Sequence, residues 1–315
     1  MRIVVTGGAG FIGSHLCARL LAGGHQVTAV DNLITGSRRN IAGLLGHPAF
    51  SFVEHDVIHP LDIPTEVVFH LASPASPEGY MANPLETALA NSQGTYNLLE
   101  LAKRYSARFL VSSTSEAYGD PLEHPQRECY WGHVNPVGPR SCYDESKRFA
   151  EALTMVYVRA GAVDARIIRI FNTYGPHSDP NDGRIVPNFI TQALAGKPIT
   201  VYGNGTQTRS LCYVDDLVEG IIAAMLTPGT TGQVVNLGNP QEHTVLEYAH
   251  IISRLCGSRS EVMFQPLPQD DPTRRCPDIS KARELLQWEP KIGLEQGLKR
   301  TIQWFREIAS QEHSG

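Results

Sequence analysis

Tyr143-Asp-Glu-Ser-Lys147 sets a phenol and an ammonium four residues apart, on one face of any helix that carries them. A phenol with its ordinary pKa near ~10 is a poor base at neutral pH. A neighbouring ammonium and a positive nicotinamide would favour the phenolate. Tyr143 would then take the proton from a hydroxyl as hydride leaves its carbon. Thr114 follows a strand-like run and can hydrogen-bond the same substrate oxygen.

A second group is Thr6-Gly7-Gly8-Ala9-Gly10-Phe11-Ile12-Gly13, lying between a β-branched run and a helical pattern. Gly7 allows the tight turn, Gly10 the approach of a pyrophosphate, and Gly13 close packing of the helix on the sheet. The phosphates would face the amides and positive end of that helix. Asp31 ends the next strand-like run, where a carboxylate accepts hydrogen bonds from ribose hydroxyls and repels a 2′-phosphate. That pattern favours NAD over NADP. Arg38 and Arg39 would favour the opposite if they faced the ribose, and are read as solvated loop charges.

These groups require a scaffold of alternating strands and helices. Arg2–Val5, Gln26–Val30, Phe50–Val53, Glu66–Leu71, Arg108–Ser112 and Arg166–Phe171 have strand character. Helical spacing runs over Phe11–Leu21, from an Asn83-Pro84 start to about Arg104, and over Tyr143–Ala160. Such alternation predicts a doubly wound parallel sheet in an α/β protein. Beyond Asn172 the alternation breaks. Val214–Met225, Val245–Leu255 and Leu294–Ile308 are expected helices, the second opened by a Thr244/Glu247 capping box. Gln233–Leu237 is expected to return to the main sheet.

Composition narrows the partners. A formal net charge of −5 argues against nucleic acid, and no apolar run approaches the ~20 residues of a membrane span. The glycine loop follows Met1 so closely that no signal peptide is expected. Six scattered cysteines without C-x-x-C spacing suit a reducing cytoplasm. Twelve histidines show no ligand spacing, so no metal is expected, and His70 is expected to be packed rather than catalytic.

The glycine loop, Thr114 and the Tyr143/Lys147 pair together resemble the extended short-chain dehydrogenase/reductase family, over essentially the whole chain. Within it, sugar-nucleotide 4,6-dehydratases carry Thr-Asp-Glu, whose aspartate protonates a departing hydroxyl. Here the word is Thr114-Ser115-Glu116, and a serine is a poor acid for expelling water. Longer words are similar to the UDP-glucuronate decarboxylases (UDP-xylose synthases): His70-Leu-Ala-Ser-Pro-Ala-Ser76, His124-Pro-Gln126, Tyr130-Trp-Gly132, Gly138-Pro-Arg-Ser-Cys-Tyr143, Phe171-Asn-Thr-Tyr-Gly-Pro176, Asp182-Gly-Arg184 and Gln207-Thr-Arg209. The chain departs from the resemblance at Ser146, His177-Ser178 and Cys276.

The resemblance implies a Rossmann-type sheet, with 1–172 and 210–238 binding NAD and a smaller lobe of 173–209 and 239–315 binding a nucleotide sugar. It implies cofactor contacts from Gly7, Gly10, Phe11, Ile12, Gly13, Asp31, Asn32, Asp56, Val57 and Leu71, besides Tyr143 and Lys147. The catalytic set is Tyr143, Lys147, Thr114, Ser115 and Glu116. The substrate set is Asn172, Asn188, Tyr202, Arg209 and Arg275, the two arginines being suited to a diphosphate. The implied reaction removes hydride from C4 of UDP-glucuronate, loses carbon dioxide from the β-keto acid and returns the hydride, giving UDP-xylose. Glu116 would orient the ring or handle a proton at C5. A homodimer through helices 85–104 and 143–160 is also implied. Dehydration, 4-epimerisation, release of the 4-ketopentose, a thymidine diphosphate sugar and a non-catalytic NAD-sensing scaffold remain open on the residues alone.

Overall fold

The computed structural model describes residues 1–267 and 274–312. Its strands are β1 (Arg2–Thr6), β2 (Gln26–Asp31), β3 (Phe50–Glu54), β4 (Val67–His70), β5 (Arg108–Thr114), β6 (Ala165–Ile170), β7 (Thr173–Tyr174), β8 (Ile199–Tyr202), β9 (Thr208–Ser210), β10 (Cys212–Tyr213), β11 (Val234–Leu237), β12 (Glu242–Thr244), β13 (Val262–Gln265) and β14 (Arg274–Arg275). The helices are α1 (Phe11–Ala22), α2 (Arg38–Ile41), α3 (Pro77–Ala82), α4 (Pro84–Leu89), α5 (Thr95–Tyr105), α6 (Ser141–Arg159), α7 (Ile185–Leu194), α8 (Val214–Leu226), α9 (Val245–Cys256), α10 (Ser280–Leu286) and α11 (Leu294–Glu312).

Seven strands form the main sheet in the order β11-β6-β5-β4-β1-β2-β3, every neighbouring pair parallel. A parallel sheet is covered on both faces, so its inner strands carry apolar side chains on both sides. Ile3, Val4 and Val5 of β1 and Val67, Val68 and Phe69 of β4 are all buried. Edge strand β3 has only half-buried and exposed positions instead. On one face, Leu16 and Leu20 of α1 join Leu217 and Ile221 of α8; on the other, Leu98, Leu99 and Leu101 of α5 pack with Ala150 of α6. The expected doubly wound sheet is present, and β11 returns to it.

Local chemistry explains several boundaries. Thr244 and Glu247 form the reciprocal capping box that opens α9. Gly257 ends α9 in the left-handed conformation that favours glycine. The helix expected from Asn83 to about Arg104 runs over 84–105 but changes its hydrogen-bonding pattern part-way. A π-helical turn at Ala90–Gly94 separates α4 from α5, and the Asn83 side chain donates to the Gly79 carbonyl rather than capping α4. Inserted turns of this kind often mark functional sites. Here the π turn presents Asn91, whose amide donates to Ser73 and to Ser146 on α6.

The segment beyond Asn172 is more ordered than its proline and glycine content suggests. It holds α7 and three small sheets, β10 with β7, β13 with β8, and β12-β9-β14. The last of these joins residues from three distant stretches and delivers Arg209 and Arg275 side by side in register. Trp288 Nε1 donates to the Asp216 carbonyl, while the Asp216 carboxylate accepts from the amides of Lys291 and Ile292, tying the C-terminal segment to α8.

Candidate active site

A cleft of about 1570 Å³ runs across the carboxyl ends of the main strands, between sheet and smaller sheets. Open α/β sheets bind ligands on this side. Every cofactor, catalytic and substrate residue named from the sequence lines it.

At one end lies the glycine loop. Gly7 has φ +71°, and a Cβ there would come within 2.9 Å of the Ala72 amide nitrogen. A Cβ on Gly13 would lie 2.0 Å from the Gly7 carbonyl oxygen, which no side chain could tolerate. The loop therefore brings bare backbone to the start of α1, as a pyrophosphate requires. Asp31 sits beyond it, its two oxygens accepting from the amides of Ala9 and Leu33 at 3.0 and 2.8 Å. Each carboxylate oxygen keeps a further lone pair for a ribose hydroxyl. Burial pushes the Asp31 carboxyl above its usual range, with the backbone donors opposing. Asn32 donates to Asp56 at 2.9 Å, setting both beside Val57 on the adenosine side. Arg38 pairs with Glu54 and stacks over Phe52, whereas Arg39 lines the cleft together with Asp31. These residues fit NAD, which would supply the acceptor and donor of hydride.

In the middle stand Tyr143 and Lys147, both buried on α6. Tyr80 of α3 stacks on Tyr143, with ring centroids 5.0 Å apart and planes 7° from parallel. This contact fixes the phenol ring, and it is invisible in the sequence because the stacking is purely tertiary. Burial raises the Tyr143 pKa, opposed first by a hydrogen bond from Thr114 and then by the charge of Arg184. Lys147 Nζ lies 5.8 Å from the ring centroid and donates to the Ser112 carbonyl at 2.9 Å. Burial brings its pKa down to about 7, with Glu151 opposing. Burial is the largest influence on both groups, and a value near 7 leaves the Lys147 amine divided between its charged and neutral forms at neutral pH.

The depressed lysine gives a stability test. The unfolded amine titrates near ~10.4, the folded one near 7. Between these values the unfolded chain holds more protons, so stability rises with pH across about 7–10. The burden of the buried amine is therefore complete below about pH 7. Lys147→Met should raise the Tm of the cofactor-free protein at pH 7, by about 2–4 °C for each kcal/mol recovered. The gain should shrink towards pH 10. Melting curves at both pH values check this, and a gain that grew with pH would exclude the buried charge as its cause.

Behind the pair, His70 is buried and neutral, its pKa brought down to about 3 by burial and by the Lys147 charge. Its ring lies between the hydroxyls of Thr6 and Thr95, at 2.9 and 3.2 Å. Its carbonyl accepts from Ser112 Oγ. The expected packing role holds, and it fixes the strand whose carbonyl receives Lys147.

Thr114 and Ser115 are buried at the end of β5, Thr114 Oγ1 accepting from the Glu116 amide at 3.2 Å. Glu116 is gripped from two sides. Arg140 Nη2 reaches its Oε2 at 2.5 Å, and Arg275 Nη1 pairs with its Oε1. Arg275 is only 3% exposed, so this carboxylate–guanidinium contact is shielded from water. Arg275 also donates to the Gly119 carbonyl at 2.8 Å, and its buried Nε has no protein partner. Arg275 as a residue lines the cleft, and its guanidinium fork suits an oxyanion.

The substrate set lines the other end. Asn188 Nδ2 donates to the Gly183 carbonyl, Arg209 Nη1 to the Thr208 carbonyl, and the Asn172 and Tyr202 carbonyls accept from Cys212 and Gln207. Arg140, Arg184 and Tyr80 were missed as site residues. Arg140 and Arg184 stood within family-like words, but only the fold turns them onto Glu116 and towards Tyr143.

Glycine cradle, acidic ribose partner and Tyr/Lys pair in one cleft define a nucleotide-cofactor enzyme acting on a hydroxyl. The chain belongs to the NAD dependent epimerase/dehydratase family, matched over residues 3–238. It is 54% identical over 314 residues to UDP-glucuronic acid decarboxylase 1 of Danio rerio, covering 99% of this chain and 75% of that protein. UDP-glucuronic acid decarboxylase 1 of Arabidopsis thaliana is 51% identical, over 100% of this chain and 72% of its own length. Among solved structures, UDP-glucuronic acid 4-epimerase from Bacillus cereus with UDP-glucuronic acid and NAD superposes with TM-score 0.88 at 31% identity, covering 98% of this chain and 100% of the other.

Proposed function

We propose that this enzyme converts UDP-glucuronate to UDP-xylose and carbon dioxide through a 4-keto sugar, with NAD reduced and reoxidised within each cycle. The identity to named decarboxylases over 99% of the chain supports the substrate. The observation that carries the reaction type is the state of positions 115 and 116. Ser115 offers no acid, and Glu116 is a carboxylate held between two guanidinium groups. Expulsion of water lacks its proton donor there. Loss of carbon dioxide from a β-keto acid requires none, because the electron pair left at C5 delocalises into the C4 carbonyl, and C5 takes up a proton before hydride returns to C4.

Tyr143 accepts the C4 hydroxyl proton, Thr114 holds the same oxygen, and Lys147 steadies the phenolate once the cleft is filled. Gly7, Gly10, Gly13 and Asp31 would hold NAD, which would supply the acceptor and donor of the C4 hydride. Arg209, Asn172 and Asn188 hold the diphosphate and sugar, and Tyr202 completes the substrate set lining the cleft. The division into a NAD-binding unit of 1–172 with 210–238 and a nucleotide-sugar lobe of 173–209 with 239–315 follows from these roles. Among the described residues no helix is long and apolar enough to cross a membrane, and six free cysteines suit the cytoplasm.

The second reading, 4-epimerisation, draws on the Bacillus cereus structure. Incubation of the purified protein with UDP-glucuronate and no added cofactor separates the two. UDP-xylose and carbon dioxide are expected. UDP-galacturonate with all carbon retained would replace decarboxylation by epimerisation.

The enzyme works as a homodimer. Leu85 and Leu89 of α4, Tyr96 of α5, and Phe149 and Val156 of α6 are exposed large apolar side chains on adjoining helices, an arrangement a second copy would bury. The double variant Leu85→Glu/Phe149→Glu should be a monomer by light scattering. A monomeric wild type would end this assignment.

A further inference from the structure

We propose that His124, Glu242 and Cys276 form a binding site for a divalent cation of the zinc class, outside the machinery described above. Their candidate ligand atoms, an imidazole nitrogen, a carboxylate oxygen and a thiol sulfur, all lie within 4.8 Å of one another. Among the described residues this is the one such group. His124 lies on the loop after β5, Glu242 opens β12, and Cys276 follows β14. No spacing motif could have announced them, since His124 and Glu242 are 118 residues apart.

The donors are partly arranged already. His124 Nε2 stands 2.8 Å from Glu242 Oε2, while the other oxygen of Glu242 accepts from Thr208 Oγ1 at 2.6 Å. That second contact orients the carboxylate, as outer partners of metal ligands do. Cys276 is buried, its amide held by Gln126 Oε1 at 2.9 Å and its sulfur directed to the Pro240 carbonyl at 3.4 Å. Ligands on a tetrahedral ion with arms of about 2.0–2.3 Å stand roughly 3.4 Å apart. Insertion would part His124 from Glu242 by about half an ångström and draw the sulfur in. His124 is half-exposed and can make that movement, which also gives the ion its way in.

Ligand chemistry selects the metal. Magnesium and calcium take oxygen ligands, whereas a thiolate with an imidazole and one carboxylate suits zinc. Three protein ligands leave the fourth position to water. On binding, the Cys276 S–H bond breaks, its proton goes to solvent and an Sγ–metal bond forms, with no change of oxidation state. Affinity therefore rises with pH. Because Cys276 follows Arg275, the ion would hold the backbone that carries the guanidinium paired with Glu116.

Cobalt(II) tests this in the full chain, since a cobalt–thiolate bond gives a near-ultraviolet charge-transfer absorption. Titration of the chelator-treated, reduced protein should give that band, saturating at one cobalt per chain and bleached by zinc. Cys276→Ser should abolish the band. His124→Gln, at a half-exposed position, should weaken binding at least about tenfold. No band, a band surviving in Cys276→Ser, or unchanged affinity in His124→Gln would each overturn the assignment.

Discussion

Replacing Tyr143 with Phe should lower kcat by about 10³-fold or more, towards the upper end of what a general base contributes. The ring keeps its place, since Tyr80 stacks on its face. The buried α6 surface is unchanged, so the Tm should stay within a degree or two of the wild type. Bound NAD, measured after denaturation, should be retained in full. Only the oxygen that accepts the C4 proton is gone, so no NADH absorbance should develop in a single turnover with UDP-glucuronate. A variant within tenfold of wild-type kcat would remove Tyr143 from the mechanism.

Glu116→Gln should be nearly as damaging for a different reason. The carboxylate neutralises two guanidinium groups, one of them almost fully buried. Removing one member of such a cluster leaves charge uncompensated and typically costs about 3–5 kcal/mol. For a chain of this size the Tm should fall by roughly 6–20 °C, at about 2–4 °C per kcal/mol. Activity should fall about 10²–10³-fold as Arg275 leaves its position. Tyr143 and Lys147 are untouched, so C4 oxidation should still proceed. Single-turnover absorbance would show NADH appearing and persisting, where Tyr143→Phe shows none. A Glu116→Gln enzyme that turned over normally, with unchanged Tm, would reduce the double ion pair to surface decoration.

Much of this site was legible because its signals are local. Gly7, Gly10 and Gly13 are close in sequence and fixed by a single turn, and Tyr143 and Lys147 by one helical repeat. The main sheet was equally legible, because strands buried on both faces print continuous apolar runs. Two kinds of feature were not. Short strands such as β9, β12 and β14 have too few residues for a period, and form only because partners far along the chain supply their hydrogen bonds. Charge states were the second. Sequence placed Lys147 beside Tyr143 and expected an ammonium, but how deeply α6 buries the pair is set by α3 and β5, which no spacing along α6 records.

The three-strand sheet β12-β9-β14 has a consequence for biosynthesis. Its last strand is made after all seven strands of the main sheet, yet it delivers Arg275 to a carboxylate at position 116. During translation the cofactor cradle and the Tyr143/Lys147 pair can assemble first, because domains fold from the N-terminal side as the chain emerges. The Glu116–Arg275 contact must wait until residue 275 has left the ribosome. A nascent chain folding in this order would hold its nucleotide while its reaction centre is unfinished. Captured cofactor would favour the folded intermediate by mass action, acting as a folding template before it acts in catalysis.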